Sequence, residues 1–367
     1  MKVPPLDLKA QFEVIQDDVH SRFEQILATH HYILGPYVAE LEGEIAKFCG
    51  VEHGIGVASG SDAILLALMA VGVTEGDVVI TTPFTFFSTV SSITRLGAKP
   101  YFIDIDPLTC NLDPNQLADV RATKVKAILP VHLYGQLADM EEIGCWADMN
   151  DAAIVEDAAQ AIGASRNGRM AGSWGAAGAF SFYPTKNLGG AGDGGMIVTD
   201  NEKLAEKLRC LRDHGAKQRY YHDEIGLNSR LDAFQAAVLL AKYPHLAAWN
   251  DKRRDIADQY RREFADLPIE LPKEDTGNVH IYHQFVIRTQ KRDELKAHLD
   301  QAGVYTAVFY PVPLHLQKCF QYLGYHEGDF PEAEKAAAEV LALPIFPEIG
   351  AERFNIVVNA VREFFGG

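Results

Sequence analysis

The sequence predicts an α/β protein: a mainly parallel sheet covered by helices, followed by a smaller α+β domain. Three observations carry this. Between about residues 53 and 200, short Val/Ile-rich runs alternate with amphipathic stretches. Those stretches are long enough to be crossover helices, which parallel pairing requires. Beyond residue 200 the apolar spacing becomes mainly helical, with two further extended runs.

In chain order, Phe12, Ile15, Val19, Phe23, Ile26 and Leu27 recur at helical spacing, so a first helix is expected over about 10–28. Strands are expected at 55–57, 78–81, 100–103, 127–130, 153–156, 179–182 and 196–199, with helices near 61–72, 86–96 and 139–149 between them. Asn167-Gly168 between extended runs is a hairpin signal, so some antiparallel pairing is expected there. Helices follow at about 201–213, 230–241 and 245–265. A strand (282–287), a helix (291–302), a strand (304–307), a Pro-rich loop (310–314) and two helices (331–341, 350–365) complete the chain. The division falls near residue 245, giving a larger domain over 1–245 and a smaller one over 246–367. No repeat of solenoid or propeller length is visible.

Charge narrows the function. The 367 residues carry 34 Lys and Arg against 50 Asp and Glu, a net charge of −16. That balance argues against nucleic acid or an anionic membrane as the main partner, while leaving room for a small anion held by local amides. Five cysteines, odd in number and in no Cys-x-x-Cys pair, argue against a disulfide framework and a zinc ribbon. No metal site is expected. The start of the chain has no apolar segment of signal-peptide type, and the longest mainly apolar run, 63–73, is about half a membrane span. A cytoplasmic protein is expected.

Gly190-Ala191-Gly192-Asp193-Gly194-Gly195 satisfies the G-x-G-x-x-G pattern, but it leads into a strand rather than out of one into a helix. It is therefore not read as a dinucleotide site. Ser59-Gly60-Ser61 stands between a strand and a helix, either an anion-binding turn or an ordinary helix cap. Glu156-Asp157 places an acid at the carboxyl end of a buried strand, where open α/β sheets bind ligands and where a helix cap is the alternative. Lys186 follows 29 residues after Asp157 in a Gly-rich turn at the same edge. A lysine there is a surface charge unless other parts converge on it. An anion turn, a strand-end acid and a lysine in a glycine turn are together the parts of a pyridoxal phosphate site.

The chain resembles the DegT/DnrJ/EryC1/StrS family of pyridoxal-phosphate-dependent sugar aminotransferases, almost end to end. The matching segments include Tyr32-Ile33-Leu34-Gly35-Pro36, Ser59-Gly60-Ser61-Asp62-Ala63, Pro83-Phe84-Thr85-Phe86 and Leu133-Tyr134-Gly135-Gln136. They continue through Glu156-Asp157-Ala158-Ala159-Gln160, residues 181–195, Gly226-Leu227-Asn228-Ser229-Arg230 and Tyr310-Pro311-Val312-Pro313. The resemblance implies the aspartate-aminotransferase-like fold type I, with a seven-stranded, mainly parallel sheet in the large domain. It implies that Lys186 forms the Schiff base and moves the proton, and that Asp157 keeps the pyridine nitrogen protonated. Phe86 is expected to stack on the ring, Gln160 to lie near the ring hydroxyl, and Gly60, Ser61 and Ser181 to hold the phosphate. Asn228 is expected to reach that phosphate from the partner subunit of a homodimer with shared active sites.

Tyr183, Arg219, Tyr221 and His315 are the substrate-side candidates. Arg219 and Tyr221 belong to a basic, aromatic segment that reads either as a substrate loop or as a solvated one. Gln160, Asp193-Gly194-Gly195 and Asn228-Ser229-Arg230-Leu231 resemble the branch that aminates C3 of nucleotide-linked keto sugars, with glutamate as amino donor. A 4-keto or other keto sugar, and a non-catalytic regulator on the same fold, are the alternatives.

Overall fold

The computed structural model describes residues 2–366. Strands form where the Val/Ile-rich runs occur: β1 His53–Val57, β2 Val78–Thr81, β3 Lys99–Phe102, β4 Val125–Ile128 and β5 Ala153–Asp157. They continue as β6 Ser165–Arg166, β7 Arg169–Met170, β8 Ala177–Ser181 and β9 Gly195–Thr199. Seven of these build one sheet in the order β1-β9-β8-β5-β4-β2-β3. Pairs β2/β3, β2/β4, β4/β5 and β5/β8 are parallel, whereas β9 is antiparallel to both neighbours. The expected seven-stranded, mainly parallel sheet is present. Asn167 and Gly168 turn the β6–β7 hairpin with φ +49° and +78°, the sign that a two-residue primed turn needs at both positions.

The helices are α1 Leu8–Thr29, α2 Pro36–Cys49, α3 Gly60–Ala70, α4 Phe87–Arg95, α5 Met140–Met149, α6 Glu202–Arg212 and α7 Ala233–Lys242. Strand side chains alternate between two faces. Val79, Ala127, Val155, Ala179 and Ile197 pack with α3, α4 and α6, while Ile80, Ile128, Phe180 and Val198 pack with α2, α5 and α7. Leu41 and Ile45, one turn apart on α2, are fully buried. Burying each stabilises the packing by about 2 kcal/mol.

After the small hairpin β10 Ala216–Gln218 and β11 Tyr221–His222, α8 Leu246–Glu263 leads into the C-terminal part. This contains β12 Asn278–Val279, β13 Phe285–Arg288, α9 Arg292–Gln301, α10 Pro331–Glu339, β14 Val340–Leu343 and α11 Gly350–Phe365. A separate apolar cluster runs from Ile256 to Val361 and takes in Val3. Another cluster joins Phe84, Phe102 and Tyr134 to Phe320, Phe330 and Val340.

Several elements differ from the sequence expectation. Helix α2 was not expected; Pro36 at its first position starts it after Gly35, whose φ of +85° suits glycine. The stretch 331–341, expected as one helix, stops at Glu339, and 340–343 extend to pair antiparallel with β13. A continuous apolar run of this length does not distinguish strand from helix. Residues 304–307 make isolated bridges, Val3 to Val304 and Ala307 to Ala342, rather than a strand. Among the described residues no helix is long and apolar enough to cross a membrane, and no group of three His, Cys, Asp or Glu could hold a metal ion.

Candidate active site

The carboxyl ends of β5 and β8 and the turn after β1 meet at one edge of the sheet. A cavity of about 500 Å³ opens there, lined among others by Gly60, Ser61, Phe86, Asp157, Gln160, Ser181, Tyr183 and Lys186. Residues far apart in sequence thus share one space.

Asp157 ends β5. Its Oδ2 accepts from the Thr89 hydroxyl at 2.7 Å, and Oδ1 accepts from the Ala159 amide at 3.3 Å. Thr89 is itself 3.0 Å from the Thr85 hydroxyl. Burial raises the Asp157 pKa above the ordinary carboxylate value, opposed by Thr89, the Ala159 amide, Lys186 and His132. The preceding residue faces the other way. Glu156 accepts from the amides of Gly172, Trp174 and Gly175 at 2.7–2.8 Å and lies 2.9 Å from His132 Nε2. The helix-cap alternative for Asp157 is not realised, because no α-helix follows β5.

Residues 182–194 carry the chain from β8 to the start of β9 at the same edge. Lys186 stands in this segment, its amide donating to the Tyr183 carbonyl at 2.9 Å. Asn187 pins the turn: its Nδ2 donates to Asn250 Oδ1 at 2.7 Å, and its Oδ1 lies 3.1 Å from His283 Nδ1. Lys242 Nζ donates to the Gly189 carbonyl at 2.7 Å. Burial lowers the Lys186 amine to about 8, against the opposing pull of Asp157. At pH 7 about a tenth of such an amine is neutral.

The other end of the cavity is built for an anion. Ser59 caps α3, its Oγ accepting from the Asp62 amide at 3.1 Å, so the cap and the anion turn coexist. A Cβ on Gly60 would lie 2.6 Å from the Ser181 Cβ, and one on Gly195 would collide with the Ser59 carbonyl. Bare backbone is therefore required at both places. The Ser61 and Ser88 hydroxyls are 2.6 Å apart beside the amino end of α3, where free amides and the helix dipole favour negative charge.

Phe86 is 54% exposed at the mouth, its ring 6.0 Å from that of Tyr310. Gln160 Oε1 accepts from the Tyr134 amide at 2.8 Å, and its Nε2 donates to the Tyr310 hydroxyl at 3.1 Å. Thr85, Ser88, His283, Gln284, Phe309 and Tyr310 also line the cavity and were not singled out from sequence. Thr85 and Tyr310 lie inside segments that match the family; nothing local marks His283.

Four sequence candidates are not brought into this cavity. Arg219 and Tyr221 sit on the exposed β10–β11 hairpin, with the Arg219 guanidinium 4.9 Å from the Tyr220 ring. Asn228 is exposed in an adjoining cavity of about 610 Å³, which shares Ser59 and Asp193 with the first. The expectation for His315 is corrected: a short 3-10 turn buries it, and its Nε2 pairs with Glu334 at 3.0 Å.

The profile described as the DegT/DnrJ/EryC1/StrS aminotransferase family matches residues 13–362. The chain belongs to that family. It is 51% identical to a "pleiotropic regulatory protein" of Geobacillus stearothermophilus, covering 100% of this chain and 99% of that one. It is 43% identical to the UDP-N-acetyl-3-dehydro-alpha-D-glucosamine 3-aminotransferase of Acidithiobacillus ferrooxidans, covering 100% and 98%. The crystal structure of S. venezuelae DesV in complex with a ketimine intermediate superposes with a TM-score of 0.97 at 42% identity, covering 100% of this chain and 99% of that one.

Family membership makes the protein a pyridoxal-phosphate-dependent sugar aminotransferase of fold type I. The cavity suits that cofactor. It offers the amino end of α3 with the Ser61 hydroxyl and Ser181 beside it, a buried carboxyl and an amine of lowered pKa.

Proposed function

We propose that this protein transfers an amino group from an amino acid, with glutamate as the donor, to C3 of a nucleotide-linked keto sugar. The observation that carries the proposal is the meeting of Lys186 and Asp157 in one cavity with an anion cradle at its end. The C3 preference rests on Gln160 and Asp193-Gly194-Gly195 and on the 3-aminotransferase relative.

When bound, the cofactor supplies an electron sink that makes a carbon–hydrogen bond beside the transferred nitrogen acidic. The chain supplies the rest. Asp157, held by Thr89, provides the negative charge that keeps a ring nitrogen protonated. Lys186 Nζ would take a proton from the donor α-carbon and deliver it to the carbon on the other side of the transferred nitrogen; an amine near pKa 8 can serve as base and acid in turn. Ser61, Ser181 and the amino end of α3 hold the phosphate. Phe86 covers one ring face, and Gln160 stands by the ring hydroxyl. Tyr183 at the mouth, and Arg219 and Tyr221 of a neighbouring copy, meet the nucleotide-linked substrate.

The working unit of this proposal is a cytoplasmic homodimer in which Asn228 completes the partner's phosphate site. Its exposure beside Ser59 and Asp193 supports that placement. A division of each chain near residue 245 belongs to the same proposal and is supported by the separate C-terminal cluster, to which Val3 adds. The test is glutamate-dependent amination across a panel of nucleotide-linked 3-keto and 4-keto sugars. Amination of 4-keto sugars alone would refute the C3 assignment.

The regulatory name of the 51% identical relative favours a second reading, a non-catalytic regulator. Absorbance separates the two: a yellow protein that bleaches with glutamate is an enzyme, and a colourless one indifferent to added cofactor is a regulator.

A further inference from the structure

A cavity of about 650 Å³ lies elsewhere, between residues 107–110 and 134–136 on one side and 261–288 on the other. It contains neither Lys186 nor Asp157, so the transamination described above makes no use of it. Its volume is within the range of small-molecule sites.

Three independent observations mark it as built for a ligand. Cys110 and Tyr134 both line it with left-handed backbone, φ +58° and +59°. Non-glycine residues hold that conformation at a cost of about 1–3 kcal/mol, and such strain gathers at binding sites.

One buried polar atom in its wall is left without a partner, and it is a hydrogen-bond donor. Arg288 is 6% exposed; its Nη1 donates to the Pro107 carbonyl at 2.8 Å and its Nη2 to Glu339 at 3.1 Å, while its Nε makes no hydrogen bond. The Glu270 carboxylate is 3.8 Å from that nitrogen, too far to accept, and its side chain is 65% exposed. His280 accepts from the Tyr282 amide at 2.9 Å through Nδ1, and its ring N–H is engaged by the Gly135 carbonyl. Burial keeps this ring neutral, lowering its pKa to about 3. Lys273 is exposed at the rim and forms no ion pair among the described residues. The other polar groups are engaged: Gln136 with Lys273 and Asp275, Thr109 with Asp106, and Glu274 with the His280 amide.

The third observation is a shared wall. Tyr134 lines this cavity, yet its amide donates to Gln160 and its hydroxyl to the Phe309 carbonyl, and both of those residues line the Lys186 cavity.

We propose that this cavity binds a small organic anion, its charged head on Arg288 Nε and Lys273 and its apolar body against Leu108, Leu271 and Val286. Carboxylate and phosphate heads share this chemistry, and the occupant lies one residue from Gln160 through Tyr134.

The test titrates the cofactor-loaded protein with phenylacetate and, separately, phenyl phosphate, read by calorimetry. Either probe is expected to bind saturably at one site per chain, and the tighter one identifies the head group. Lys273→Glu, a surface change, should weaken binding about tenfold, the value of one reversed charge near the head. Glu270→Gln removes a carboxylate 3.8 Å from Arg288 Nε and should tighten binding severalfold. Absence of saturable binding by both probes overturns the proposal. So does binding that ignores both substitutions and is displaced by glutamate, because that probe sits in the Lys186 cavity. Neither variant touches residues assigned to transamination, so its failure and the failure of the proposed function are read separately.

Discussion

Replacing Gly60 with Ala tests the anion cradle directly. The added Cβ would lie 2.6 Å from the Ser181 Cβ and 3.1 Å from both its Cα and Oγ. Two such carbons need about 3.4–4 Å, so the first turn of α3 and the end of β8 must part by roughly 1 Å. Neither side yields cheaply, since Ser181 is in register with Gly195 on β9 and Ser59 already caps the helix. Hydrogen bonds to a bound anion weaken steeply over such a displacement. Losing one or two charge-assisted bonds of about 1.5 kcal/mol each predicts a 10- to 100-fold weaker affinity for pyridoxal phosphate. The assay is titration of cofactor-free protein by absorbance, with pyridoxal, which lacks the phosphate, as the control. Pyridoxal affinity should change by less than about threefold, because ring contacts lie at the other end of the cavity. Equal loss for both ligands, or an affinity for pyridoxal phosphate within twofold of wild type, refutes the cradle.

Lys186→Ala should abolish turnover while the protein still folds, as judged by circular dichroism; wild-type turnover would displace the lysine from its assigned role. Asp157→Asn keeps the shape and removes the charge, so single-turnover measurements should show both half-reactions slowed, about 100-fold or more; slowing of sugar amination alone would assign Asp157 to substrate instead. Mixing Lys186→Ala chains with Asn228→Asp chains should restore up to about half the wild-type activity per heterodimer, since one site then collects both defects and the other neither. No recovery after verified subunit exchange would mean that both residues serve one chain's site. In the cofactor-free protein the Lys186 amine is lowered from 10.5 to about 8, so between those pH values the unfolded chain binds more protons than the native one. Stability to urea should therefore rise with pH across that window, and Lys186→Met should flatten part of the rise. A fall in stability over the same window would contradict the buried amine.

The sheet was legible because each strand's apolar run is bounded by turn residues and separated from the next by a helix-length stretch. The candidate acid and lysine were legible for a related reason. Strand ends and glycine turns are marked locally, so Asp157 and Lys186 could be placed at one edge before any contact was known. What lay hidden depends on tertiary contact. Thr89 sits in the first turns of α4 as an ordinary polar residue until the fold brings its hydroxyl to Asp157. His283 and Tyr310 come from the C-terminal part, more than 120 residues from Asp157, and only docking of that part places them over the cavity. His315 misled because a histidine after two prolines suggests an exposed loop, whereas the chain turns it inward onto Phe330 and Glu334. The Val340–Leu343 strand was absorbed into a helix because its pairing partner is distant in sequence.

The opposite orientations of Glu156 and Asp157 restrict how this gene can change in length. Ile154 and Glu156 look toward one layer of helices, Val155 and Asp157 toward the other. Insertion or deletion of a single codon within 153–156 would exchange the two acids. It would send the amide-bound glutamate into the cavity and bury the aspartate against residues 172–175. Such a frame-preserving change should therefore be as damaging as losing the acid outright, whereas the same change in the turn at 150–152 would alter only a surface connection. Among descendants of this sequence, length variation should be absent from β5 and concentrated in the turn before it.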